Sequence, residues 1–274
     1  MYCWLYSYII CSYCIVLFQF YINKIKATVY FVYMSAFLGE TPTTAFYVVN
    51  YKDDARRNKM IRRIKSIGMD VHFVDPVSTQ DPRIRDQPIT DFQKRNWSIF
   101  FQHVDCMRNF YENTSYDYCI IAEDDVMISR RLKEQLPHII HLYNKVGLDM
   151  LLLSYLWPFE LQENGYFPVL DRETLGGEEY RIHGYPDDLW GAHMYFISRP
   201  HAKTMIDRYT PEYAIQQTPE KPFCTDWQFT KFGKRGLIVP MVGVEEGEVK
   251  TDHQGQIDFH RMCFEYNYHP NKFL

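Results

Sequence analysis

The sequence predicts an α/β protein with a mostly parallel central sheet flanked by helices. Short apolar runs of strand type recur at 45–50, 71–74, 118–122, 148–156, 192–197 and 237–242. Stretches with apolar residues at helical spacing stand between most of them, and that alternation is the signature of a sheet covered by helices. Composition agrees: 46% hydrophobic and 23% charged residues describe a packed globular core, not a disordered or fibrous chain.

The elements follow in order. Ala45–Asn50 is the first strand, and Asp53 is a good N-cap for a helix over 53–67. Met60, Ile61, Ile64 and Ile67 share one face of that helix, Arg56, Arg57, Arg62 and Arg63 lie elsewhere, and Gly68 ends it. Val71–Val74 is a second strand closed by Asp75-Pro76, and 78–92 is loop. Trp97, Phe100, Phe101, Val104, Met107 and Phe110 predict a helix over 93–112. Tyr118–Ala122 is a strand ending in Glu123-Asp124-Asp125, and Ser129 caps a helix to Asn144 that bends at Pro137. Leu148–Leu156 is a buried strand, 157–189 is loop, and Ala192–Ile197 is a strand. Ser198 caps a helix over 200–209, and Leu237–Val242 is the last strand. The first strand-to-helix turn has neither GxGxxG nor GxxxxGK[ST], which argues against a dinucleotide-binding Rossmann domain and a P-loop NTPase.

The first 33 residues differ from the rest. Tyr2 to Asn23 is uncharged, 22 residues where a spanning helix needs about 20, and Lys24 and Lys26 follow. As an anchor, it would keep the remaining chain in the cytoplasm. The alternatives are an over-extended start, since Met34-Ser35-Ala36-Phe37-Leu38-Gly39-Glu40 looks like an ordinary cytosolic N-terminus, and a core element of the fold. Either way 34–274 is expected to be one domain, with a membrane as partner only if 1–33 is an anchor. A net charge of −4 disfavours a dedicated nucleic-acid binder. Seven cysteines, an odd number without metal-ligand spacing among the later ones, fit a reducing compartment.

Four places carry candidate chemistry. Glu123 and Asp125 point to one side of a strand end, at the sheet edge where open α/β sheets bind ligands. Adjacent carboxylates repel unless compensated, so a hard ion, Mn²⁺ or Mg²⁺, is the natural partner; an acidic helix-capping turn is the alternative. His253 and His260 near the chain end could complete that ion's shell, or be two exposed tail residues. Asn50 to Arg57 sits at a helix start, where amides and arginines suit a nucleotide diphosphate; a solvated basic face is the alternative. Asp187-Asp188-Leu189-Trp190 and Thr225-Asp226-Trp227 pair acids with tryptophan, which suits a sugar acceptor as well as it suits an N-cap beside a core tryptophan.

These residues recur together. Phe46-Tyr47-Val48-Val49-Asn50-Tyr51 with Asp53 and Arg56-Arg57, the helix with Gln102-His103, Glu123-Asp124-Asp125, and Tyr195-Phe196-Ile197-Ser198 stand in the order found in one family. The chain resembles the family 25, lipopolysaccharide-type glycosyltransferases. It is closer still to glycosyltransferase domains encoded by large DNA viruses of algae. Those share an Asp-Asp-Leu-Trp-Gly block, an acid-Trp pair, Val244-Glu245-Glu246-Gly247 and the tail Gly255-Gln256-x-x-Phe259-His260. The resemblance spans residues 45–262. Family 25 typically has a Gly-Cys-x-x-Ser-His helix segment where this chain has Trp97-Ser98-Ile99-Phe100-Phe101-Gln102-His103, so galactosyl specificity is not carried over.

The resemblance implies a GT-A-type nucleotide-sugar-binding fold around one metal, in a viral protein working in host cytoplasm. Val49, Asn50, Tyr51 and Arg56 would bind the nucleotide with Asp75 near the base. Glu123 and Asp124 would face the donor, and Asp125 and His260, with Glu123, would hold the metal. Asp226 is the first candidate acceptor base and Asp188 the second, with Asp187, Trp190 and Trp227 on the acceptor. The expected activity is metal-dependent transfer from a nucleotide-diphosphate-sugar, a UDP-sugar in the first instance, to a glycan hydroxyl. The alternatives are a metal-dependent phosphohydrolase or nucleotidyltransferase, and a non-catalytic glycan-binding module with structural Ca²⁺.

Overall fold

A computed structural model describes residues 42–218, 223–248 and 251–274. The 1–33 segment and the Met34 start lie outside the described residues. Thr44–Leu274 forms one compact unit. Among the described residues no helix is long and apolar enough to cross a membrane.

Strand β1 (Thr44–Val49) leads to helix α1 (Asp54–Ser66), whose cap is Asp53, with Oδ1 accepting from the Arg56 amide at 3.0 Å. Helix α2 (Asp91–Asn113) starts at a capping box between Thr90 and Gln93. Then come β2 (Tyr118–Glu123), β3 (Val126–Ile128), α3 (Leu132–Val146) and β4 (Met150–Ser154). Strands β5 (Val169–Leu175), β6 (Glu178–His183) and β7 (Met194–Ser198) precede α4 (Arg199–Arg208), which Ser198 caps. The chain ends with α5 (Pro211–Gln217), α6 (Thr225–Gln228), β8 (Arg235–Val239), β9 (Gly243–Glu245) and α7 (Gln254–Asn267).

A seven-stranded sheet has the order β1-β2-β7-β4-β8-β6-β5, and β3 pairs with β9 in a separate two-stranded sheet. Strands β1, β2, β4, β8 and β5 run one way, while β7 and β6 are reversed. The sheet is therefore mostly parallel in direction, although adjacent strands are parallel only at β1–β2 and β4–β8. Alternation sorts the side chains. Phe46, Val48, Ile120, Ala122 and Phe196 pack with Met60, Ile64 and Ile139 of α1 and α3. Tyr47, Val49, Ile121, Tyr195 and Ile197 pack with Trp97, Phe100, Phe101 and Val104 of α2. Both sheet faces are covered, so its central strands are apolar throughout.

Several sequence expectations need correction. Val71–Val74 is not a strand: His72 alone bridges Tyr47, giving and receiving one backbone hydrogen bond at 2.8 and 3.0 Å. Pro76, lacking an N–H, cannot extend the ladder. The segment 157–189 contains the β5–β6 hairpin, turned by Gly176 and Gly177 at φ 59° and 84°, as a tight two-residue turn demands. Its alternating Asp, Arg and Glu give the sequence no apolar run of strand type. Ser129 stands ahead of α3, its Oγ accepting from the Arg131 amide at 3.2 Å, while Arg131 occupies the cap position. The last main-sheet strand stops at Val239, before Pro240, and the tail forms helix α7.

Candidate functional site

The site forms where β1 and β2 end side by side. Register pairs Val49 with Glu123, so Asn50 and Asp124 emerge together. Asn50 is buried; its Nδ2 donates to Asp124 Oδ2 at 2.6 Å and to the Asp53 carbonyl at 3.0 Å, while Gln102 Nε2 of α2 donates to the Asn50 carbonyl at 2.8 Å. Arg56 Nη1 reaches Asp124 Oδ1 at 3.0 Å and Asp125 Oδ2 at 3.1 Å. Much of the compensation the acidic triplet needs thus comes from Arg56. Arg56, expected on the diphosphate, thus has its Nη1 set between the two aspartates. Val49 is buried, Tyr51 is exposed beside Asn50, and Asp75 is exposed past the His72 bridge, outside this network.

Behind the triplet lies a carboxylate–imidazole cluster. Glu123 receives the His103 ring at 3.7 Å, and its amide donates to the His193 carbonyl at 2.8 Å. His103 Nδ1 meets the Tyr195 hydroxyl at 3.0 Å. His260 of α7 is buried with Nδ1 3.2 Å from Glu245 Oε2, and the His193 and His260 rings lie 6.4 Å apart, edge to face. Burial pushes the Asp125 carboxyl up to about 7, helped by Glu123. Burial opposes ionisation of Glu123 too, but His103, His193 and His260 outweigh it and hold that carboxyl below its usual range. Burial likewise opposes charge on His193, and there Glu123, Asp226, Glu245 and Asp125 outweigh it and favour the imidazolium.

Four ligand-type atoms are buried here without a hydrogen-bond partner: His103 Nε2, Asp125 Oδ1, His193 Nδ1 and His260 Nε2. A buried polar group left unpaired costs about 1–3 kcal/mol, so several at one place ask for a ligand. Among the described residues no three His, Cys, Asp or Glu side chains stand as a ready-made metal cage. His253 is exposed at the N-cap of α7, so only His260 of the two tail histidines joins the cluster.

The Val244-Glu245-Glu246-Gly247 motif sets α7 against the sheet. Glu245 pairs with Val126 in the β3–β9 ladder and the Glu246 amide donates to the Asp125 carbonyl at 2.8 Å. Glu246 is clasped by Lys59 and Arg63 of α1, each at 2.5 Å. Gly247 has φ 74°, and a Cβ there would stand 2.9 Å from Phe264 Cβ, so α7 can seat only against a glycine.

Where the Asp187–Trp190 and Thr225–Trp227 segments meet, Asp226 is not a cap. Cys224 takes that position, and Asp226 Oδ1 accepts the amides of Gly191 and Ala192 at 2.9 and 3.0 Å, fixing the chain that carries His193. Among the described residues Asp226 Oδ2 takes no hydrogen bond. Asp187 is ion-paired with Arg235, and exposed Asp188 accepts the Tyr166 hydroxyl on both oxygens at 2.5 and 2.6 Å. Trp190 and Trp227 meet at 6.4 Å between ring centroids. Lys231, over the Trp227 ring, donates to the Leu189 carbonyl at 2.6 Å, and burial lowers its ammonium to about 8.

Sequence reasoning missed His193, Glu245, His103 and Lys231. Glu245 and His103 stand inside quoted motifs and could have been found there; His193, two residues past the Asp187–Gly191 block, and Lys231 carry no signal apart from the fold. No family model and no curated protein matches the sequence. Among solved structures, HddC from Yersinia pseudotuberculosis aligns over 82% of this chain and 79% of that one, at 14% identity and a TM-score of 0.32. That likeness is too loose to define a common fold.

Proposed function

We propose that the chain is a metal-dependent glycosyltransferase, moving a sugar from a nucleotide-diphosphate-sugar, a UDP-sugar first of all, to a glycan hydroxyl. One observation carries this reading: Asp125 Oδ1 and His260 Nε2, 135 residues apart in the sequence, are buried and unpartnered in one cluster at the strand ends. The ordered motifs shared with family 25 and algal-virus domains, and the GT-A-type fold they imply, support it.

The donor set fits Mn²⁺ or Mg²⁺. Such ions commonly take one or two protein side chains and fill the rest of their shell with phosphate oxygens and water, so a three-residue cage is not required. Asp125 and His260 would hold the ion, with Glu123 facing it. Bound there, it would neutralise charge on the departing diphosphate. Asn50, held by Gln102, keeps Asp124 in place and leaves Val49 and Tyr51 along the nucleotide. Arg56 acts as a brace that keeps Asp125 aimed into the cluster. Asp226, anchored through Oδ1, presents Oδ2 to take the acceptor hydroxyl proton. Asp188, engaged by Tyr166, serves as a rim residue.

Thermal shifts of the full chain with UDP-sugars, with and without Mn²⁺, test the reading. Ligand at 100 times its Kd contributes about 2.7 kcal/mol, a rise of several degrees, and the rise should require Mn²⁺. No shift with any nucleotide-sugar, against a shift with Ca²⁺ and oligosaccharide, would replace it with a binding module. Free phosphate from the donor, or its synthesis from sugar phosphate, would replace it with a phosphohydrolase or nucleotidyltransferase.

A further inference from the structure

Residues 157–167 hold an aromatic cluster that the catalytic reading leaves unused. Trp157 contacts Phe159, Tyr166 and Phe167 at centroid distances of 5.7, 6.5 and 4.8 Å. Phe167 is buried and anchors the group, whereas Phe159 is 57% and Tyr166 44% exposed. Hydrogen bonds that tie the segment down include Leu156 N to the Trp190 carbonyl at 2.9 Å, the Tyr166 hydroxyl to Asp188, Asn267 Nδ2 to the Trp157 carbonyl at 2.9 Å, and the His183 ring to the Phe167 carbonyl at 2.9 Å. The first two tie it to the Trp190–Trp227 face, so Asp188 stands between two sets of aromatic rings, with Trp190 itself 38% exposed. Lone exposed aromatics are ordinary; a clustered, tethered set marks a binding surface.

We infer that this strip is a second sugar subsite of the acceptor groove and that the acceptor is a neutral oligosaccharide of at least two units. The inference rests on the glycosyltransferase reading for its first subsite. A pyranose offers one apolar face of polarised C–H groups, which suits the negative face of an aromatic ring, and a rim of hydroxyls that donate to carboxylates. Asp188 and Glu160 supply exposed carboxylates beside the rings, while Glu163 and Asp187 are paired with Arg172 and Arg235. Arg172, Arg235 and Lys231 offset most of that acid, so the fringe carries no strong field of either sign, which suits an uncharged glycan better than uronate, phosphate or nucleic acid.

The test is the full chain against a panel of neutral and uronate-containing oligosaccharides of one to four units, with affinities by calorimetry. Wild type should bind neutral tetrasaccharides at least about 5-fold tighter than their monosaccharides, and uronate-bearing ones more weakly. Phe159→Ala should remove about 5- to 10-fold of tetrasaccharide affinity, the scale of one ring contact, with no change in melting temperature. Tyr166→Phe, which keeps the ring, should bind within about 2-fold of wild type. Equal affinity for one and four units, preferential uronate binding, an unaltered Phe159→Ala, or a wild-type dimer that Phe159→Ala dissociates would each overturn the inference. Oligosaccharide binding of the expected pattern without any nucleotide-sugar shift would keep the subsite and sink the transferase reading. A nucleotide-sugar shift without oligosaccharide binding would do the reverse.

Discussion

Asp226 separates catalysis from scaffolding. Its Oδ1 accepts two amides, Gly191 and Ala192, both in buried residues. Asp226→Ala leaves both donors unpaired, at about 1–3 kcal/mol each. In a domain of this size each kcal/mol moves the melting temperature by about 2–4 °C, so a fall of about 4–24 °C is expected. Asp226→Asn retains an acceptor oxygen for both amides; exchanging charge-assisted for neutral bonds costs about 1 kcal/mol, hence about 2–4 °C. What Asn cannot do is take up the acceptor proton, a role worth about 10²–10⁴-fold. The assay is transfer of labelled sugar to acceptor at saturating donor, beside calorimetric melting of all three proteins. Asn should melt near wild type, show the same nucleotide-sugar shift and transfer at least about 10²-fold more slowly. If Asn transfers within a few-fold of wild type, Asp226 only holds the 191–192 backbone and the base lies elsewhere.

Three other substitutions probe the cluster and its supports. Asp125→Asn should cut nucleotide-sugar turnover by about 10²–10³ and abolish the Mn²⁺-dependent thermal shift while the metal-free protein melts no lower, because burial and Glu123 already disfavour that charge; near-wild-type turnover removes Asp125 from the mechanism. Gly247→Ala should unseat α7 and His260, weakening the Mn²⁺-dependent shift far more than the far-ultraviolet spectrum changes; an intact shift would show that α7 tolerates the methyl. Lys231 is held down to about 8 by burial, with Arg235 adding to it, against an ordinary 10.5. Between those values the unfolded chain binds the extra proton, so this group's contribution to stability rises as pH rises through that window. Urea midpoints of wild type and Lys231→Met should therefore draw apart in wild type's favour from pH 8 upward, and parallel curves would refute the burial of that ammonium.

The acidic strand end, the helix-start turn at Asn50 and the tail histidine were legible because each is written in contiguous residues. So were β1, β2, β7 and helices α1 and α2, whose apolar periods match their geometry. The β5–β6 hairpin was not, since its charged strands gain their pairing from Gly176-Gly177 and from β8, not from hydrophobic alternation. Helix α7 was not, because its seat depends on Gly247 and on contacts with β9.

Sequence alone determined the layering of sheet and helices and the presence of an acidic cluster at a strand end. Only the tertiary structure decided that Arg56 braces Asp124 and Asp125, that Asp226 serves two amides, and that His193 rather than His253 stands beside His260. Those outcomes turn on which strands are neighbours and which way side chains point across gaps of tens of residues. Periodicity fixes a residue's face within its own element; the partner on that face is set by the order of strands in the sheet.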